Sequence, residues 1–124
     1  METKINTQNA IIAEFMGLKP IEVFGSYSIS KDHISVNCKT EVEAFESFCK
    51  STKYHSDWNW LLEVVEKIEE IQSPKGFRYA FEICGNSVNI GLGKTENIFK
   101  RKTTKKESIY SACLEFIEWH NQQK

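Results

Sequence analysis

YHSDWNWLLEVVEKIEEI, residues 54–71, decides how this chain is read. Ser56 and Asp57 are helix-capping residues, and from Trp58 onward apolar positions recur at helical spacing. Trp58, Leu61, Leu62, Val65 and Ile68 form an inner stripe, while Glu63, Glu66, Lys67 and Glu70 fall on the outer side. The spacing predicts a principal helix over 58–72, stopped by Ser73-Pro74-Lys75-Gly76.

Beyond that stop the period changes from helical to alternating. Phe77, Tyr79, Phe81 and Ile83 share one parity, Gly85-Asn86 supplies a tight turn, and Val88, Ile90 and Leu92 return. The basic stretch 94–106 reads as a loop. Thr104 and Glu107 then have capping-box spacing and open a last helix carrying Ile109, Cys113, Phe116, Ile117 and His120.

On the other side, residues 7–16 read as a short helix that leaves through Gly17, and Pro20 prevents its continuation. Ile21, Val23, Tyr27 and Ile29 alternate, with Gly25 read as a bulge or bend, and 30–33 turns the chain toward Ile34, Val36 and Cys38. Thr40 and Glu43 form another capping box, ahead of a short helix over 41–50. No repeat is evident in the pattern. The expected fold is α+β: a single layered domain over 1–124, with a mostly antiparallel sheet of two hairpins packed with about three helices.

The composition is that of a globule, 40% hydrophobic and 27% charged in 124 residues. No apolar run approaches the ~20 residues that cross a bilayer, and METKINTQNA lacks a signal-peptide pattern. Cys38, Cys49, Cys84 and Cys113 each sit in an apolar periodic segment, as buried free thiols of a reducing compartment do. A cytoplasmic protein without membrane contact is expected.

The net charge of −1 conceals an asymmetry. Residues 1–74 carry seven Lys/Arg against twelve Asp/Glu, whereas 75–124 carry nine against five. Acidic groups crowd Glu41/Glu43/Glu46 and Glu63/Glu66/Glu69/Glu70, and cations crowd Lys94, Lys100, Arg101, Lys102, Lys105 and Lys106 around Phe99. Those cations with Phe99 are candidates for tracking a phosphate backbone, although a pI near 6.3 argues against a free-standing DNA-binding protein. Trp60 lies roughly 160° from Leu62 on a helical wheel. With Trp119, it is a candidate contact residue for a partner.

Catalytic and cofactor signatures are weak. GLGKT at 91–95 has the tail of a phosphate-binding loop, but the first glycine of that pattern is replaced by Val88 and no helix follows directly. His33, His55 and His120 lack partners at zinc-ligand spacing. A cysteine–histidine pair meeting in space stays open as an enzymatic alternative. The expectation is a non-enzymatic protein with no catalytic residues, metal or cofactor.

Three segments, IIAEFMGLKP (11–20), YHSDWNWLLEVVEKIEEI (54–71) and KESIYSACLEFIEWHNQQK (106–124), together resemble small proteins of Bacteroidetes phages and prophages associated with a phage α/β/α sandwich domain. The resembling positions are core and capping residues, so no catalytic residue comes with them. The resemblance implies an accessory protein that binds and inhibits a host immune effector, as anti-CRISPR proteins do. An RNA-guided nuclease of type VI-B with its guide RNA is the candidate partner. The alternatives are an accessory protein that binds nucleic acid directly, and a small enzyme acting on nucleotides or protein.

Overall fold

The computed structural model describes residues 2–32, 34–71, 73, 76, 78–93 and 96–123, with side chains from residue 6 onward. His33, Gln72, Pro74, Lys75, Phe77, Lys94 and Thr95 lie outside the described residues. The expectations that fall on them, Lys94 as a contact residue among them, are therefore not placed. Among the described residues, four helices and two three-stranded antiparallel sheets make an α+β fold. The chain divides into two compact units, 1–53 and 54–124.

The first unit runs α1 (Glu2–Phe15), β1 (Ile21–Val23), β2 (Ser26–Lys31), β3 (Ile34–Cys38) and α2 (Glu41–Ser51). Gly17, at φ 82°, ends α1 in a full Schellman motif: its N–H donates to Glu14 O and that of Leu18 to Ala13 O, each at 3.0 Å. The 21–29 stretch is not one bent strand. Val23 pairs with Ser26 across Phe24-Gly25, and both turn residues have positive φ (50° and 82°), as a type I′ turn requires. Alternation concealed this reversal because Phe is not a residue expected at left-handed φ. Across the hairpin, the Tyr27 hydroxyl donates to the Glu22 carboxylate, and that carboxylate holds the phenol pKa above its ordinary value. α2 packs on β2, β3 and α1, and Ile12, Ala13, Ile29, Ala44, Phe48 and Cys49 are buried.

The second unit runs α3 (Trp58–Glu70), β4 (Ala80–Cys84), β5 (Ser87–Gly91), β6 (Asn97–Arg101) and α4 (Lys105–Gln122). Asp57 caps α3, accepting from Asn59 N at 2.8 Å. Gly85, at φ 60°, opens the two-residue turn between β4 and β5. Residues 97–101, expected within a loop, instead form the third strand. Only its Ile98 is buried, which left no alternating apolar signal to read. α4 packs on β5, β6 and α3, and Val88, Ile90, Ile98, Ile109, Ala112, Cys113, Phe116 and Ile117 are buried.

Each unit therefore has the order helix, three-stranded meander, helix. A sequence repeat follows the topology. Thr40-x-x-Glu43-Ala44-Phe45-x-Ser47-Phe48-Cys49 and Thr104-x-x-Glu107-Ser108-Ile109-x-Ser111-Ala112-Cys113 align at a separation of 64 residues. Both threonines are N-caps with nearly the same backbone angles, φ/ψ −122°/155° and −127°/157°. Each accepts from the N–H of its own glutamate at 3.2 Å. Ala44 and Ser108 are buried at one aligned position, and Cys49 and Cys113 at another. The repeat escapes a linear reading because only the buried and capping positions carry it.

Phe24 is fully exposed, so its side chain contributes no packing while its backbone bears left-handed strain. Phe24→Asn, a residue that tolerates this region, is expected to raise stability by up to about 1 kcal/mol in urea unfolding. A loss of stability would show that the ring packs.

Candidate functional site

The corner where β6 passes into α4 gathers five of the six candidate cations, Lys100, Arg101, Lys102, Lys105 and Lys106. Its shape is set by Ser108, which is fully buried in the first turns of α4. The Ser108 hydroxyl accepts from Lys102 N at 2.7 Å and lies 2.5 Å from Asn86 O, to which it donates. Asn86 closes the circuit, its Nδ2 donating to Lys102 O at 2.9 Å. One buried hydroxyl thus joins the β4–β5 turn, the residue after β6 and the start of α4. Thr104 then caps the helix, its hydroxyl also donating to Glu107 Oε1 at 3.1 Å.

Not all the cations are free to meet a ligand. Lys100 points to the helix side of the sheet and pairs with Glu115 at 2.9 Å. Lys106 donates to Ser56 O at 2.9 Å and sits 5.6 Å from the centroid of the Trp58 ring, so it staples the start of α4 to that of α3. Arg101, Lys102 and Lys105 are exposed. The six-cation loop of the sequence reading becomes a three-cation corner with two neighbouring cations engaged internally.

Of the two tryptophan candidates, Trp60 requires correction. Trp60 is 3% exposed and packs edge-on against Tyr54 at 5.0 Å, so it is not a surface contact residue. The buried face of α3 is Trp60, Leu61, Val64, Val65 and Ile68. Trp58 and Leu62, assigned to the core from the sequence, are 39% and 42% exposed. Trp119 is half-buried in an aromatic cluster, 5.8 Å from Tyr79 and 5.7 Å from Phe116. Of the aromatic candidates Phe99 is the most open, at 57% exposure.

Strand register places Phe99 on the sheet face opposite the helices. Val88, Ile90 and Ile98 are buried on the helix side, where Lys100 also meets Glu115 of α4. The alternate positions form three cross-strand rows on the other side: Ala80/Gly91/Asn97, Glu82/Asn89/Phe99 and Cys84/Ser87/Arg101. Asn97 Nδ2 donates to Asn89 Oδ1 between two of the rows.

Two of the four thiols are held protonated by burial. Burial pushes Cys49 up to about 11, with Glu46 adding to it, and raises Cys113 with a contribution from Glu69. Both therefore stay protonated at neutral pH and are poor nucleophiles. Cys84 is exposed, contrary to the expected burial, because the open face of β4 carries it. Burial lowers the His55 pKa, and its ring lies edge-on to Tyr110 at 6.3 Å. Of the GLGKT segment, Gly91 ends β5, and Lys94 and Thr95 lie outside the described residues; Leu92 N donates to Glu96 O at 2.9 Å, and the next described element is β6 from Asn97, not a helix. No group of three or more His, Cys, Asp or Glu suited to a metal occurs among the described residues, and none of their helices is long and apolar enough to cross a membrane.

Neither a protein-family model, nor a curated protein, nor a solved structure matches this chain.

Ser108 and Asn86 are the residues that the motif search passed over. The available signal was a serine at 108 on the same helical stripe as Ala112 and Phe116. Ser108→Ala, the residue at the aligned position 44, should fit without clash. It is expected to cost about 1–3 kcal/mol in urea unfolding by stranding the Lys102 N–H, and to speed hydrogen exchange at that amide. Unchanged exchange would contradict the role assigned to the hydroxyl.

Proposed function

We propose that this protein is a non-enzymatic accessory protein that binds the phosphate backbone of nucleic acid within a host immune effector and blocks that effector. The observation that supports it is the exposed trio Arg101, Lys102 and Lys105 at one corner of the second unit. The internal repeat strengthens the point. The aligned positions in the first unit are Asn37, Cys38 and Glu41, so the scaffold does not require cations there. Charge at that corner serves something other than folding.

The resemblance to phage proteins supplies the class of partner: an RNA-guided nuclease carrying its guide, with the type VI-B enzymes of Bacteroidetes as the candidate. A second reading, direct binding of free nucleic acid by a phage accessory protein, is favoured by the same trio, since phosphate contacts alone need no protein partner.

One pair of titrations separates them. Excess protein should abolish target cleavage by the guide-loaded nuclease, while Arg101→Glu/Lys102→Glu/Lys105→Glu restores cleavage and Lys39→Glu/Lys50→Glu leaves inhibition intact. Against naked single-stranded RNA, three phosphate contacts predict a slope of about −2 in log K against log salt. Full cleavage at excess protein, with retained salt-dependent binding to naked RNA, selects the second reading. Full cleavage without RNA binding overturns both.

A further inference from the structure

We infer that the open face of the β4–β5–β6 sheet is a binding platform for single-stranded nucleic acid, with one base stacked on Phe99 and the adjoining phosphate held by Arg101. This deepens the proposed function, on which it rests, by naming the strand state and the surface that reads it.

Phe99 stands on the open face at 57% exposure, where an aliphatic core would not place it. A planar ring on an exposed sheet offers a stacking surface to any base, because every base has a π-face. The ring is not isolated. Asn89 lies directly across from it on β5, and Asn97 lies two residues before it on β6. Ser87 lies across from Arg101 in the next row. These are small amides and a hydroxyl, able to donate to and accept from base edges. The face is therefore polar around one aromatic, unlike an apolar face built to receive another protein.

Charge sets the direction of the ligand. Arg101 is two residues beyond Phe99 on the same face, about 7 Å along the strand, and Lys102 and Lys105 follow at the corner. Glu82 stands in the Phe99 row but on β4, beyond Asn89. Within these rows the carboxylate stands on β4 and the cation on β6, so a polyanion is drawn toward Arg101 and away from Glu82. Its bases then lie inward over Phe99 and Asn89. A duplex buries its bases and cannot offer that stacking contact, so the platform selects unpaired strands.

The repeat again provides an internal control. At the positions aligned with Phe99 and Arg101, β3 carries Ser35 and Asn37, both exposed. The same strand is built in the first unit without an aromatic or a cation, so neither is demanded by the scaffold. Their joint presence on β6 is the departure that calls for a ligand.

The test uses the full chain with a fluorescein-labelled oligouridylate, and a blunt RNA duplex of equal phosphate count. Wild type should bind the single strand more tightly. Phe99→Ala should weaken that binding about five- to a hundredfold, leave duplex binding unchanged, and keep the wild-type circular dichroism melt. Phe99→Tyr, which retains a stacking ring, should bind like wild type, and Phe99→Leu like Phe99→Ala. Independently of any variant, the oligouridylate should protect the exposed Cys84 thiol from maleimide while Cys38 goes on labelling as before.

Retained single-strand affinity in Phe99→Ala, together with loss in Arg101→Glu, would overturn the platform and leave the phosphate-binding reading standing. Failure of wild type to bind either RNA would overturn the platform, and the cleavage assay on the guide-loaded nuclease then decides the proposed function separately. Self-association that Phe99→Ala abolishes would assign the face to a second copy of the chain and also overturn the proposal.

Discussion

The second unit depends on one buried hydroxyl. Ser108 accepts from the backbone N–H of Lys102 and donates to the carbonyl of Asn86. Without it, the Lys102 N–H and the Asn86 carbonyl, part-buried at the junction, would each lose a partner outside the strand and helix ladders. The bond fixes the angle at which β6 gives way to α4. The exposed cations Arg101, Lys102 and Lys105 flank that junction, and Phe99 is two residues upstream on the same strand. Their common corner is a consequence of where Ser108 holds the chain.

The repeat shows which features belong to the scaffold and which to the site. Thr40 and Thr104 cap in the same way, and Cys49 and Cys113 are buried at the same distance from them. These positions build a helix on a three-stranded meander in either unit. Against that shared frame, Ala44 becomes Ser108, Ser35 becomes Phe99, Asn37 becomes Arg101 and Glu41 becomes Lys105. One change adds an internal tie, and the other three alter only exposed surface. The scaffold is present twice, and the ring and cations stand on one copy only, which is the basis for proposing the second unit as the binding unit.

Much of the architecture was legible locally. Both capping boxes, the Asp57 cap and the Gly85-Asn86 turn were readable because each is a short-range hydrogen-bonding or φ requirement with few solutions. What stayed hidden was decided by tertiary contacts. The buried arc of α3 is turned by roughly 60° on the helical wheel, from the Trp58/Leu62 side toward Trp60/Val64. Periodicity fixes Leu61, Val65 and Ile68 but cannot choose between flanks that are equally apolar. Packing of Trp60 on Tyr54 and of Lys106 over Trp58 makes that choice. Strand β6 was hidden by its own site residues, since cations on a strand look like a loop. The candidate site was legible as charge, but its sorting into exposed and internally engaged cations required Glu115 and Ser56, both remote in sequence.

If unpaired nucleic acid lies along β6 of the second unit, amide chemical-shift mapping during titration with a short oligouridylate will register it there. Shifts should concentrate at Asn89, Phe99, Arg101 and Lys102, with none at the aligned Ser35, Asn37 and Cys38 of the first unit. Shifts centred on the first unit, or on the acidic face of α3, would contradict that placement.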